Sequence, residues 1–128
     1  MTLLLALHVV AGLVVVCAGD RLGRRALWIG GIAPVAAVVW LAAVLPGVLD
    51  GRPVTEHIAW VPRLDVALDL RLDGFGALMV ALVSGIGVLV FAYAARYLPA
   101  HGVGVARLIG LLTLFSGSML GLVVADNI

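Results

Sequence analysis

The fold predicted for this chain is decided by the stretch Leu72–Leu98, which reads LDGFGALMVALVSGIGVLVFAYAARYL. After Asp73 it carries no charged residue until Arg96. A helix that rises about 1.5 Å per residue crosses the roughly 30 Å hydrocarbon core of a bilayer over this length. The stretch closes with aromatic and cationic side chains that suit a membrane interface, namely Tyr93, Arg96 and Tyr97. It therefore predicts a transmembrane helix over 74–97.

The composition of the whole chain is that of an integral membrane protein. Of its 128 residues, 64% are hydrophobic and 12% are charged, whereas about a quarter of the residues of a soluble domain are charged. The net charge of +1, without blocks of like charge, gives no indication of a nucleic-acid partner. The single cysteine, Cys17, excludes an internal disulfide. Phosphate loops, zinc motifs and nucleophile elbows are absent from the sequence, so we predict a protein that is not an enzyme and needs no cofactor or metal.

Three further apolar runs predict transmembrane helices, at about 2–19, 26–49 and 107–125. The prediction is thus an all-α membrane protein with four transmembrane helices, forming a single membrane region over 1–128. Pro34 lies inside the second helix, where a neighbouring helix or a local kink would compensate for the missing amide donor. The fourth helix is rich in small residues, and Gly117 and Gly121 share one face that allows close packing against another helix.

The charges of the connecting segments predict the orientation in the membrane. The turn Asp20–Arg25 holds three arginines and one aspartate, a net charge of +2 that is typical of a cytoplasmic loop. The loop 50–73 holds five acidic residues and three arginines, a net charge of −2 that agrees with an outside location. The turn 99–107 is flanked by Arg96 and Arg107 and is predicted to be cytoplasmic. We therefore expect a multi-pass membrane protein with its N-terminus outside. All eight basic residues are arginine, a bias that hints at a bacterial genome, so the expected location is the bacterial plasma membrane.

The outer loop 50–73 changes from helical periodicity to a period of two. Aliphatic residues alternate with mainly charged ones from Arg63 to Leu72, which predicts a half-buried strand. Residues 56–61 are its expected partner across Pro62, giving a small β-hairpin between the second and third helices. Because an isolated hairpin is marginally stable in water, its apolar face is expected to rest on the helices or on a neighbouring subunit.

Several short motifs, taken in their order and spacing, resemble a known family. They are Trp60-Val61-Pro62, then Leu72-Asp73-Gly74-Phe75 opening a helix that Tyr93 and Tyr97 close, and then Ser116-Gly117-Ser118-Met119-Leu120-Gly121 leading to Asp126-Asn127. This series resembles the N-terminal region of the antiporter-like proton-channel family. The family includes the MrpA subunit of the multisubunit Mrp sodium/proton antiporters and the large distal membrane subunit of respiratory complex I. The SGSMLG segment and the loop ending in LDG are more similar to the Mrp branch, while complex I or a related hydrogenase-type subunit stays open.

The resemblance implies a fragment of a much longer subunit whose partners are the lipid bilayer and other membrane subunits of an antiporter or complex I-like assembly. It also implies that protons are carried by a glutamate on the fifth helix, by lysines on later broken helices and by linking histidines. The glutamate is expected shortly after the pair at 126–127, and this chain has no lysine and no acidic residue inside its predicted spans.

The expected function is accordingly the N-terminal part of a monovalent cation/proton antiporter subunit. In this interpretation the chain contributes helix packing and an outer hairpin but lacks the proton-carrying residues. Two alternatives remain, a membrane subunit of a complex I-like NADH-quinone oxidoreductase and a stand-alone membrane scaffold or assembly protein.

Four polar residues are candidates for structural or ion-entry roles, namely Asp73, Asp126, Asn127 and His8. His8 is the one ionisable residue well inside a predicted span, so a proton relay is weighed against a packed, hydrogen-bonded histidine. Asp73 is expected to cap the third helix. The pair at 126–127 either caps a break before a fifth helix or shapes an outer ion entrance. His57 and His101 have no Cys, Asp or His at ligand spacing and indicate no metal site.

Overall fold

The computed structural model describes residues 1–98 and 104–126, which form four helices and one two-stranded hairpin. In chain order the elements are α1 (Thr2–Leu22), α2 (Arg25–Leu49), β1 (Val54–Val61), a 3-10 turn (Pro62–Leu64), β2 (Val66–Leu72), α3 (Gly74–Tyr97) and α4 (Val105–Val124). All four helices are long and apolar enough to cross a membrane. The prediction of an all-α membrane protein with a small hairpin between its second and third helices is confirmed.

Glycines allow α1 and α4 to pack with their backbones in close contact. A Cβ atom built on Gly110 of α4 would lie 2.9 Å from the carbonyl oxygen of Gly12 of α1. A Cβ on Gly117 would lie 2.6 Å from the Cβ of His8. Gly121, on the same face, lies against Leu5. The helix face that the sequence marks as small is therefore the face on which α4 contacts α1.

The first helix continues three residues beyond the apolar run, so Asp20 and Arg21 lie in its last turn. The helix stops at Gly23, whose φ of 52° lies in the left-handed region that glycine tolerates. The apolar run therefore ends before the helix does, and Gly23 marks where the helix ends.

The proline inside α2 leaves one backbone carbonyl without its helical donor. Because Pro34 has no N–H, the carbonyl of Gly30, four residues earlier, loses its usual partner. The hydroxyl of Thr113 on α4 lies 3.5 Å from that carbonyl oxygen and also donates to the carbonyl of Ile109 at 3.0 Å. The hydroxyl of a neighbouring helix thus lies at the outer limit of hydrogen-bond distance from this carbonyl and shares its single proton between two acceptors.

The hairpin is antiparallel, with Val54 opposite Leu72 at its base and a bulge at Trp60 near its tip. Leu70 and Leu72 are buried and belong to the core cluster formed with the helices, so the apolar face of the hairpin rests on the bundle. The prediction that Leu64 belongs to the strand is wrong, because a 3-10 turn precedes β2 and leaves the Leu64 side chain 74% exposed.

Candidate functional site at the hairpin end of the bundle

One end of the bundle, here called the hairpin end, gathers most of the polar contacts between sequence-distant parts of the chain. It comprises the hairpin, the first residues of α1 and α3 and the last residues of α2 and α4. Three of these four helix ends are tied directly to residues of β1 or β2 or to the residue that follows β2. The hairpin end is therefore the candidate functional site of the described residues.

Glu56 on β1 binds the start of α1. Its carboxylate accepts hydrogen bonds from the ammonium group of Met1 at 2.6 Å, from the backbone N–H of Thr2 at 3.0 Å and from the hydroxyl of Thr2 at 2.7 Å. The bond from the Met1 ammonium, followed by those from Thr2, lowers the pKa of Glu56 to about 2. Since Met1 offers no side-chain oxygen of its own, Glu56 takes the role of the capping acid for α1.

Glu56 was not among the residues predicted from sequence, because its partners lie more than fifty residues earlier in the chain. A signal was nevertheless present. On a strand of period two, Glu56 shares a face with Val54 and Ile58, both of which pack against the core cluster. An acid on the apolar face of a strand requires a partner there.

Asp73 stands between β2 and α3 and caps the helix. Its Oδ1 atom accepts a hydrogen bond from the backbone N–H of Gly76 at 2.8 Å, and its carbonyl accepts from Ala77 at 2.8 Å. The extended backbone of Asp73 is the conformation that an N-cap residue adopts. This contact is the capping role expected for Asp73, while a role in ion entry stays a prediction.

Asp126 follows α4 and lies beside β2. Its backbone N–H donates to the carbonyl of Asp69 at 2.8 Å, and the preceding residue, Ala125, forms an antiparallel bridge with Leu70. The chain that leaves α4 is therefore joined to the hairpin through its backbone, and the side chain of Asp126 is exposed. Asn127 lies outside the described residues, as does His101. An entrance role for the pair at 126–127 stays a prediction.

His57 and Asp69 face each other directly across the hairpin. The two residues are register partners, and Nδ1 of His57 donates to Oδ1 of Asp69 on the exposed side of the sheet. Sequence spacing does not indicate this pair, because its members are twelve residues apart and meet only through the antiparallel register. Within residues 1–98 and 104–126, no group of three or more His, Cys, Asp or Glu residues is placed to hold a metal ion.

His8 lies inside the bundle rather than with the other candidates. Its side chain is fully buried, and its Nδ1 donates to the carbonyl of Leu4 in the preceding turn at 2.8 Å. The side chain lies against Gly117 of α4, where an added Cβ would clash with the Cβ of His8. These contacts match the packed, hydrogen-bonded alternative, and a proton-relay role stays a prediction.

A second surface runs along the outside of the bundle between α2 and α3. It is an open apolar groove of about 790 Å³, lined mainly by aliphatic and aromatic side chains such as Trp28, Val35, Val39 and Phe91, with Arg24 at one end. Trp28 and Val39 are largely exposed. In a membrane-spanning bundle, a groove of this composition suits contact with lipid or with another helix.

Comparison with known proteins gives two kinds of similarity. Residues 58–107 match the family model described as the N-terminus of chain 5 of NADH-ubiquinone oxidoreductase, complex I. The chain is also 43% identical, over 106 residues that make up 83% of its length, to a protein of Staphylococcus haemolyticus named antiporter subunit mnhA2. It is 35% identical over 126 residues, or 98% of its length, to the protein of the same name from Staphylococcus aureus.

These relatives are much longer than the present chain. The aligned region covers 13% of the Staphylococcus haemolyticus protein and 16% of the Staphylococcus aureus protein. The chain therefore corresponds to about one seventh of its curated relatives. Since the longer alignment covers nearly every residue of the chain, it includes all four helices and the hairpin.

Proposed function

We propose that this chain is the N-terminal part of a subunit of a monovalent cation/proton antiporter. It belongs to the antiporter-subunit family and matches the N-terminal region of the MrpA type. The observation that carries this proposal is 35% identity to an antiporter subunit over 98% of the chain. An identity of this level that includes every helix and the hairpin supports a common architecture for the region. The exchange of a monovalent cation for protons is the activity that we assign to the whole assembly.

The contribution of this region is structural. The glycine contacts between α1 and α4 hold the first and last helices together, and the hairpin binds the start of α1 through Glu56 and the end of α4 through Asp69 and Leu70. We propose that the four helices pack beside the proton-carrying helices of the subunit and that the hairpin stabilises the surface on which they meet. Helix packing and an outer hairpin are thus the two tasks of this chain.

Proton transfer itself is assigned to other parts of the assembly. The chain contains no lysine, and within the described helices its one acidic residue is Asp20, in the last turn of α1. A charged group that relays protons across a bilayer is expected near the middle of a helix, facing the bundle interior. The acids of this chain lie instead at helix ends and in the hairpin.

The proposed location is the plasma membrane of a bacterium, with the N-terminus and the hairpin outside. Charge supports this orientation, because the turn between α1 and α2 carries a net charge of +2 and the segment 50–73 a net charge of −2. The proposed partners are the other membrane subunits of the assembly and the lipid bilayer. The groove between α2 and α3 is a surface suited to either.

The test is an in-frame deletion of this region from the gene that encodes it, in the native host. Sodium/proton exchange is measured in everted membrane vesicles from the collapse of a pH gradient on addition of Na⁺, and NADH oxidation is measured in the same vesicles. Loss of exchange with intact NADH oxidation is the expected result. Restoration of exchange by the intact gene, but not by one that carries the deletion, is the control.

A complex I-like membrane subunit is the second candidate, favoured by the match of residues 58–107 to the complex I chain 5 model. It predicts the opposite result in the same vesicles, namely loss of NADH oxidation on deletion. If neither exchange nor NADH oxidation changed, the region would serve as a scaffold or assembly protein and the antiporter proposal would be abandoned.

A further inference from the structure

Three buried polar atoms inside the bundle have no hydrogen-bond partner among the described residues. They are Nε2 of His8 on α1, Oγ of Ser84 on α3 and Oγ of Ser116 on α4. Their residues are 0%, 0% and 7% exposed, respectively. An unpaired polar group in a low-dielectric interior destabilises the fold, so an orphaned polar atom in a native structure indicates a partner.

The three residues lie in neighbouring turns of the bundle. The ring of His8 rests on Gly117, which is next in sequence to Ser116. The Oγ atom of Ser116 faces α3, where it lies 3.7 Å from the position that a Cβ on Gly87 would take. Ser84 is one helical turn from Gly87 on the same side of α3 and is fully buried. The residues that carry the three polar atoms therefore lie in one part of the bundle, where Gly117 and Gly87 let α1, α3 and α4 pack closely.

The chemistry of the three groups is complementary to water. The Leu4 carbonyl can only accept, so the Nδ1 atom of His8 carries the proton, and Nε2 of the neutral ring is an acceptor. Each serine hydroxyl can donate once and can also accept. A water molecule offers two donors and two acceptors, and buried waters in proteins typically make about three hydrogen bonds to such orphaned groups.

We propose that the bundle binds internal water at this place, with His8, Ser84 and Ser116 as its ligands. Water donates to Nε2 of His8 and exchanges hydrogen bonds with the two hydroxyls. The site links α1, α3 and α4 through polar contacts at a depth where the surrounding lipid supplies none. It does not depend on the transport function proposed above, since it follows from the buried atoms alone.

The Thr113 hydroxyl is not part of the proposed water site. It lies one turn from Ser116 on α4, but its hydrogen bonds go to the carbonyls of Ile109 and Gly30. Ser118 is different again, because it is exposed and its hydroxyl donates to the Leu114 carbonyl of its own helix at 2.9 Å. Ser118 is therefore a matched control, since it is a serine of the same helix whose hydroxyl already has a partner.

The experiment is cryo-electron microscopy of the intact subunit in lipid nanodiscs, at a resolution that shows ordered water. Transfer of magnetisation from water to the His8 ring, measured by water-edited solid-state NMR, is a second readout. We expect density within hydrogen-bond distance of His8 Nε2 and of at least one serine hydroxyl, together with transfer to the ring. S116A and S84A are expected to lose or weaken both signals, and S118A to leave them unchanged.

Two results would overturn the proposal. In the first, Nε2 of His8 bonds directly to a serine hydroxyl or to another part of the subunit, with no density between them and no transfer from water. In the second, S118A reduces the transfer as much as S116A does, which would assign the signal to water outside the bundle. The wild-type map alone shows whether water is bound at this place. The proposal is therefore tested even if a variant folds poorly.

Discussion

Thr113 of α4 contacts the place in α2 where Pro34 lacks a backbone N–H. Its hydroxyl is shared between the Ile109 carbonyl of its own helix and the Gly30 carbonyl that Pro34 leaves without a donor. The sequence predicts that Pro34 needs compensation, but it does not identify the partner, because Thr113 is 83 residues from Gly30. Side-chain hydrogen bonds between helices in a membrane contribute about 0.6 kcal/mol on average and up to about 1.7 kcal/mol.

We expect T113V to destabilise the bundle by about 1 kcal/mol or less, since it removes the hydroxyl that the Ile109 and Gly30 carbonyls share. The cost should fall in a P34A background, because an alanine at that position restores the helical N–H to that carbonyl. The measurement is a double-mutant cycle by unfolding in mixed detergent micelles, with T113S as the variant that keeps the hydroxyl. An equal cost of T113V in both backgrounds would show that the hydroxyl does not serve the Gly30 carbonyl.

Glu56 makes the contact between hairpin and α1 dependent on pH. Its pKa in the folded protein, about 2, lies below the ordinary value of 4.5. The stabilisation is therefore fully present above about pH 4.5 and is lost as the pH falls through about 2. Because the carboxylate is 36% exposed, solvent screening limits its contribution to about 1 kcal/mol or less.

We expect E56Q to release the hairpin from α1 at neutral pH and to abolish its acid-dependent release. The measurement is hydrogen exchange of the Thr2 and Leu4 amides between pH 2 and pH 7 in the assembled subunit. D50N is the matched control, since Asp50 pairs with Arg52 on the exposed surface at 3.1 Å. If E56Q left the exchange of these amides at the wild-type rate, the contact would not hold α1 in solution.

At the scale of elements, the approach of α4 to α1 brings two helix backbones into direct contact. The Cβ position of Gly110 lies 2.8 Å from the backbone nitrogen of Val16 and 2.9 Å from the oxygen of Gly12. Both neighbours are backbone atoms, which cannot turn away as a flexible side chain can. A side chain at position 110 therefore requires the two helices to separate.

We expect G110L to destabilise the bundle by about 1–3 kcal/mol or more, as overpacking does elsewhere. G85L is the control, because no atom of the described residues outside the neighbouring backbone of α3 lies within 4 Å of the Cβ position of Gly85. Thermal unfolding in detergent and cysteine cross-linking between α1 and α4 report the effect. Comparable losses for G110L and G85L would mean that glycine acts in both helices through something other than interhelical contact.

The elements themselves were largely predictable, because each depends on a local pattern. Apolar length identifies the helices, and alternation over Val66–Leu72 identifies β2. Leu64 fits the same alternation, yet Pro62 begins a 3-10 turn and Asp65 takes a left-handed φ of 54°, so the strand starts later. The contacts made by Glu56 and by the hydroxyls of α4 were not predictable, since they depend on which elements become neighbours.

At the scale of the whole molecule, the charges of the connecting segments at the two ends of the helix bundle predict its orientation in the membrane. Impermeant maleimide labelling of intact cells tests it in a C17S background. R63C, in the turn of the hairpin, should react from outside, whereas R24C, between α1 and α2, should react only after permeabilisation. Reaction of R24C in intact cells with protection of R63C would mean that the N-terminus and hairpin face the cytoplasm.

The second strand of the hairpin separates an apolar set from a charged set, because Leu70 and Leu72 are buried while Asp69 and Arg71 alternate with them. Adding or removing a single residue within β2 would exchange these two sets and place charge against the bundle. Changes of two residues would preserve the faces. Among relatives, insertions and deletions within this strand should therefore comprise an even number of residues.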